Sequence, residues 1–133
     1  MNVVYDAEAA GRMTALTGDD VFLCVLPMFH SFGITVCLVL PFLYGAKLVV
    51  LSRFTPEGAM AAIEQHRVTF FPAVSTMFLA MLRARPSREY DLSSLKYCIA
   101  GGAPCPLEVQ REWRERFGTP IAEGDGPTEC GPV

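Results

Sequence analysis

The chain has 133 residues, 51% of them hydrophobic, and a formal net charge of −3. That length suits one domain, since domains of roughly 100–150 residues are the commonest size; the apolar share exceeds the roughly 45–50% of an average soluble domain, so its strands bury both faces or lean on further structure. The acidic balance excludes a nucleic-acid surface, which needs a basic stripe to neutralise phosphates, but it admits a nucleotide bridged by a divalent cation.

Five cysteines, Cys24, Cys37, Cys98, Cys105 and Cys130, lie mostly in apolar runs without a C-x-x-C pair. They read as reduced thiols of a cytoplasmic protein, not as a disulfide framework or a zinc site. Asp6 and Glu8 stand where an export signal would be basic and then apolar, so no such signal is expected. The apolar stretch from Val21 to Leu51 is divided by Pro27, His30, Gly33, Pro41 and Gly45 and is preceded by Asp19 and Asp20. Its pieces are shorter than the roughly 20 residues of a spanning helix, and basic flanks are missing. No integral membrane segment is expected, while peripheral contact with a membrane stays open.

In chain order, the first expected element is a buried strand, Val21 to Leu26, followed by an apolar helix from Ser31 to Leu43 and a strand from Ala46 to Leu51. Thr55 then caps a helix, with Pro56 in its first position and Glu57 at its positive end. Ala59, Ala62 and Ile63 form the buried stripe of that helix. Arg67 to Phe71 reads as a β-branched and aromatic strand stopped by Pro72. A helix from Ser75 ends before Pro86. Leu95 to Ala100 is a further strand, broken by Gly101 and Gly102. Pro106 opens a helix whose Val109, Trp113 and Phe117 share a face and which Gly118 closes. Pro120 to Glu123 is a last short strand.

Strands alternating with helices predict an α/β fold, a mostly parallel sheet covered on both faces. In such sheets ligands bind beyond the carboxyl ends of the strands. Four unusual segments fall there: PMFHSFG, FPAVST, AGGAP and EGDGPTE. They are expected to converge on one edge. By itself His30 reads first as a hydrogen-bonded loop histidine, and as a contact to an anionic group only because of that placement. The two glycines of AGGAP make a tight strand-to-helix turn or, equally, let a flat ligand approach the backbone near a helix terminus. Neither G-x-G-x-x-G nor G-x-x-x-x-G-K-S/T occurs. Thr128 offers a hydroxyl to a phosphate and Glu129 a carboxylate to magnesium, although acidic residues in a turn are more often simply solvated.

Taken together, LPMFHSFG, VTFFPAVSTMF, YDLSSLKYCIAGGAP and EGDGPTECGPV, in this order, resemble the central part of the adenylate-forming (AMP-binding) enzymes, closest to the long-chain fatty-acid CoA ligases. The resemblance runs from about Gly18 onward and implies a Rossmann-like subdomain, residues 1–133 forming part of a larger N-terminal domain. It implies a two-step reaction: a carboxylate attacks the α-phosphorus of Mg²⁺-bound ATP to give an acyl adenylate and pyrophosphate, and the thiol of coenzyme A then displaces AMP. Site residues follow from the same resemblance. Thr128 would meet the nucleotide phosphate and Glu129 would ligate magnesium. Gly101, Gly102 and Ala103 would wall the adenine and acyl pockets, with Glu123, Gly124, Asp125 and Gly126 in the same nucleotide-binding loop. His30 would lie beside the nascent adenylate, a catalytic position, with Phe32, Val74, Ser75 and Gly102 lining the acid pocket.

Two departures stand out. Asp125 occupies the place where the family usually carries an aromatic residue stacked on adenine. The upstream phosphate loop, the ribose-binding aspartate and the C-terminal domain with its lysine are absent, so the chain reads as a fragment, inactive alone, whose partners are a small carboxylic acid, ATP, CoA and the rest of its parent enzyme. The alternatives are a non-catalytic acyl- or nucleotide-binding module, or an aryl-CoA or acyl-carrier-protein ligase.

Overall fold

A computed structural model describes residues 2–127. Five strands, β1 (Val21–Cys24), β2 (Lys47–Val50), β3 (Phe70–Ala73), β4 (Tyr97–Ala100) and β5 (Ile121–Glu123), form one sheet in the order β2-β1-β3-β4-β5. Every pairing is parallel. The helices are α1 (Asn2–Met13), α2 (Ser31–Ile34), α3 (Leu40–Tyr44), α4 (Pro56–His66), α5 (Ser75–Arg83) and α6 (Leu107–Phe117), with a π-helical turn at Thr35–Val39 joining α2 to α3.

The strand order decides the layering. From β1 to β2 the chain steps one way along the sheet, and from β2 to β3 to β4 to β5 it steps the other way. Right-handed crossovers therefore put the α2–α3 helix on one face and α4, α5 and α6 on the opposite one. The packing agrees: α1 lies against the π turn and α3, whereas α5 lies against both α4 and α6. The second face is fully covered and the first only toward β1 and β2. This explains why β4 alternates half-buried Tyr97 and Ile99 with buried Cys98 and Ala100.

Aromatic rings join the layers. Phe22, Phe70 and Tyr97 are aligned across three strands, with ring centroids 4.3 Å apart for Phe22–Phe70 and 5.3 Å for Phe70–Tyr97. On the other face Phe71 meets Phe78 of α5 at 5.3 Å, and Trp113 of α6 stands edge-on to Phe78 at 4.8 Å. Trp113 is fully buried, beside Phe117 at 4.5 Å.

Several boundaries differ from expectation. The third strand begins later than Arg67, because Arg67 takes a left-handed φ of 52° and closes α4. It also continues through Pro72, which pairs in register with Ile99. Pairing to β1 is limited to Phe22 and Phe70. Pro72 therefore lies where the β1 ladder has already ended, and its missing N–H breaks no bond there. The apolar helix is continuous from Ser31 to Tyr44, but its middle widens to a π turn in which Leu40 N–H reaches the Thr35 carbonyl. Pro41 follows directly; a wider turn relieves the contact between its ring and the preceding turn's carbonyl. Helix α1 has no sequence expectation to match. Its buried residues, among those described, are Ala7 and Gly11; Gly11 sits against the Tyr44 ring, whose hydroxyl donates to the Glu8 carbonyl at 3.0 Å. Among the described residues, no helix is long and apolar enough to cross a membrane.

The amino edge of the sheet is fastened by a buried carboxylate. Asp20, 3% exposed, accepts from Thr17 N–H at 3.0 Å, Thr69 Oγ1 at 2.8 Å and Lys96 Nζ at 3.0 Å. Burial, the largest single influence, pushes its carboxyl up, but the Thr17, Lys96 and Thr69 hydrogen bonds together outweigh it and hold the group below its ordinary value. The link after α5 is fastened along α4: Tyr90 OH donates to Glu57 at 2.9 Å, Asp91 N–H to Glu64 at 2.9 Å, and Arg67, which closes that helix, pairs with Asp91 at 2.7 Å.

Two outcomes are expected. Trp113→Ala removes the ring that fills the α5–α6 seam and lowers unfolding free energy by about 3–5 kcal/mol, read from urea titration. A depressed carboxyl stabilises the fold above its unfolded value of about 3.9 and loses that contribution as pH falls through the lower folded value. Asp20→Ala therefore costs about 1.5–3 kcal/mol at neutral pH, and the difference from wild type shrinks as the medium is acidified below about pH 4.

Candidate functional site

Because all five strands run the same way, the segments after β1, β3, β4 and β5 leave from one edge. Side-chain contacts draw all four together. Phe32, buried at the start of α2, lies against Gly101 after β4: a Cβ added to Gly101 would stand 2.8 Å from the end of the Phe32 ring. Ser75, the first residue of α5, is buried, with its hydroxyl 3.2 Å from the Ala103 carbonyl and 3.0 Å from that of Pro104. A Cβ on Gly102 would meet Val74 at 3.8 Å. From β5, Glu123 Oε1 accepts the Cys105 N–H at 2.5 Å, and Gly124 N–H continues the β4 ladder to the Ala100 carbonyl at 2.9 Å.

Between the last two loops opens a cleft of about 590 Å³, lined by Gly102, Ala103 and Pro104 on one side and by Glu123, Gly124, Asp125, Gly126 and Pro127 on the other. Its described lining holds two carboxylates and no cation. Such a wall suits the uncharged, flat part of a ligand and offers phosphate no positive partner of its own. A second hollow of about 380 Å³, with Met60, Tyr90, Leu92, Arg116 and Phe117 in its wall, lies at the opposite edge.

His30 is exposed on the loop before α2. Its Nδ1 accepts the Phe32 N–H at 3.3 Å, so it caps the helix. The loop is positioned by Gly33, where a Cβ would come within 2.1 Å of the Pro27 carbonyl oxygen. Sequence reasoning names Gly33 only as a divider, since a close backbone approach leaves no mark in composition. Behind this loop Cys24 and Cys37 are buried free thiols, as are Cys98 and Cys105; burial pushes the Cys98 thiol up to about 12.

Phe32, Val74, Ser75, Gly101, Gly102, Ala103, Glu123, Gly124, Asp125 and Gly126 are thus gathered at one edge. Thr128, Glu129 and Cys130 lie outside the described residues. Sequence reasoning does not find that Glu123 and Ser75 brace the 101–105 loop, because their partners are backbone groups 18 and 28 or 29 positions away.

An open parallel α/β sheet with a cleft at its carboxyl edge defines a class of ligand-binding domains. The comparisons with known proteins narrow that class. A profile of the AMP-binding enzymes matches residues 1–133, and the chain belongs to that family. It is 31% identical over 134 residues to a long-chain-fatty-acid–CoA ligase of Bacillus subtilis, covering 99% of this chain and 24% of the relative. Against 4-coumarate–CoA ligase 1 of Oryza sativa subsp. japonica it is 34% identical over 133 residues, covering 99% and 24%. The chain therefore spans about a quarter of the length of the curated relatives it matches, 24% in both cases. Among solved structures, O-succinylbenzoate coenzyme A synthetase of Bacillus subtilis in complex with ATP and magnesium ion superimposes with a TM-score of 0.85 at 30% identity, covering 99% of this chain and 27% of that one. MatB from Rhodopseudomonas palustris gives 0.90 over 98% of this chain and 26% of its own; at 23% identity it speaks for the fold alone.

Gly33→Ala forces the new methyl group against the Pro27 backbone, which has no rotamer by which to yield. The expected cost is about 1–3 kcal/mol, with the largest amide shift changes at Met28–Phe32 in NMR spectra and little change around Trp113.

Proposed function

We propose that this chain supplies the nucleotide- and acid-binding edge of an AMP-forming acyl- or aryl-CoA ligase. In that reaction ATP activates a carboxylic acid as an acyl adenylate, and the acyl group passes to coenzyme A. The observation that carries the reading is the convergence of the loops: Phe32 on Gly101, Ser75 on Ala103 and Pro104, and Glu123 on Cys105, around one cleft. In this reading Gly102 and Ala103 face the base of the nucleotide from one side, and Gly124 to Gly126 from the other. Phe32, Val74 and Gly102 line the way to the acid. His30, whose Nδ1 caps α2, is the residue proposed to stand beside the nascent adenylate.

The donor chemistry of the cleft fits a magnesium-bound nucleotide better than a bare one. Glu123 and Asp125 would repel uncompensated phosphates, so the negative end must leave the cleft toward a cation. Thr128 and Glu129 are the residues proposed to receive it. Magnesium, when bound, neutralises phosphate oxygens and makes the α-phosphorus more electrophilic. The protein's own part is to orient base and acid and to exclude water from the mixed anhydride, which water would otherwise hydrolyse.

Fatty acids are the proposed acids on the strength of the PMFHSFG and EGDGPTECGPV segments. The Bacillus relative named as a long-chain-fatty-acid ligase supports this choice, and the coumarate ligases support an aromatic acid equally well. A cytoplasmic setting is proposed with it.

Titration of the chain with ATP and magnesium, followed by amide NMR, tests the reading. Shifts are expected at residues 101–105 and 123–127 and are expected to weaken when magnesium is withheld. Shifts confined to the hollow beside Tyr90 and Phe117, or none at millimolar ATP, would sink it. Asp125→Tyr restores an aromatic face to the cleft and is expected to tighten ATP binding about tenfold, the low end of what one base–aromatic stack contributes.

A further inference from the structure

The loop from Gly101 to Cys105 has almost no hydrogen bonds of its own. Its first residue donates to the Ala73 carbonyl of β3 at 3.3 Å. Its middle carbonyls, at Ala103 and Pro104, face the Ser75 hydroxyl of α5. Its last N–H, at Cys105, donates to the carboxylate of Glu123, the final residue of β5. The Cys105 carbonyl takes Gln110 Nε2 at 2.9 Å. Four neighbouring elements, β3, α5, β5 and α6, therefore fix this wall of the cleft. The Gly124 N–H bond to Ala100 joins the two walls at their base, and the Glu123 side chain ties the far end of the loop, at Cys105, to the opposite wall.

We infer that Glu123 is a positioning residue: its side chain clasps the two walls of the cleft at a set separation and so shapes the nucleotide site, instead of contacting the nucleotide itself. The inference rests on the function proposed above. Two physical reasons favour a carboxylate here. An ionised acceptor makes a shorter and stronger bond to an N–H than a neutral one. Cys105 also directly precedes Pro106, the N-cap of α6, where the partial positive charge of the helix terminus favours an anion. With Cys105 only 5% exposed, the clasp holds its thiol away from solvent as well, and this gives a readout independent of nucleotide.

The test uses Glu123→Ala, Glu123→Asp and Glu123→Gln, with iodoacetamide labelling of Cys105 and Cys98 followed by peptide mass spectrometry. Cys98, behind Trp113, reports opening of the whole core, so the ratio of the two labelling rates isolates the loop. Asp keeps the charge but is one methylene short; Gln keeps the reach and an acceptor oxygen. A rise of about tenfold in the Cys105-to-Cys98 ratio is expected for the Ala and Asp variants, with most but not all of that rise suppressed in Gln, which keeps the bond and loses its charge. An unchanged ratio in the Ala and Asp variants, or rescue by Asp and not by Gln, overturns the clasp.

ATP with magnesium is then titrated into the same proteins. Glu123→Asp is expected to weaken binding about tenfold while Glu123→Gln leaves it within about twofold, since fixing a loop in its bound form removes an ordering cost from binding. Equal affinity in the wild type and the Asp variant overturns the positioning role. If the wild type binds no ATP, the proposed function fails, and the labelling ratio still decides whether the clasp exists.

Discussion

Two neighbouring rings on the central strand hold this structure together. Successive residues of a strand point to opposite faces, so Phe70 and Phe71 anchor opposite layers from adjacent positions. Phe70 completes a row with Phe22 and Tyr97, which locks three strands in register. Phe71 faces Phe78 and Trp113 and ties α5 and α6 to the sheet. A slip of one residue would exchange these faces, placing each ring in a layer shaped for the other. The register of β3 therefore sets where β1, β4 and β5 end, and the ends of the strands are where the loops of the site begin.

The site inherits its precision from that frame and its chemistry from loops with little structure of their own. Ser75, Glu123 and Gly33 contribute by what they touch in the backbone: carbonyls at Ala103 and Pro104, the N–H of Cys105, the carbonyl of Pro27. The two edges of the sheet divide the work. At the amino edge Asp20 is engaged in fastening strands, and Glu57 and Glu64, on α4, hold the link after α5. At the carboxyl edge Asp125 is exposed in a cleft that lacks cations among its described lining, so a nucleotide there depends on metal for charge compensation. In the function proposed above, Asp125 offers the base no aromatic face, so the base would be held by shape and backbone contact, which makes the spacing of the cleft walls the more important.

Much of the fold was legible because its signals are local. Thr55, Pro56 and Glu57 announce α4, and Thr55 Oγ1 does accept the Gly58 N–H at 3.1 Å. Val109, Trp113 and Phe117 announce α6, and Gly118 closes it with a φ of 79°. The convergence of HSFG, AVS, AGGAP and EGDG at one edge followed from strand alternation alone. Misreadings arose where a local rule met a tertiary exception. Pro72 looked like the end of a strand and is inside one, because the neighbouring ladder stops first. Helix α1 went unread, since a helix whose buried residues are as small as Ala7 and Gly11 leaves a faint period.

Sequence by itself determined that the sheet is parallel, which edge carries the ligand loops and which family they resemble. These follow from periodicity, caps and ordered motifs, all written within short windows of the chain. Only the tertiary structure decided that α1 and the 31–44 helix cover one face while α4, α5 and α6 cover the other, that Asp20 is buried among Thr17, Thr69 and Lys96, and that Glu123 grips the backbone at Cys105. The reason is physical: a hydrogen bond between groups 18 to 76 positions apart depends on where two elements meet in space, and no window of sequence contains both partners.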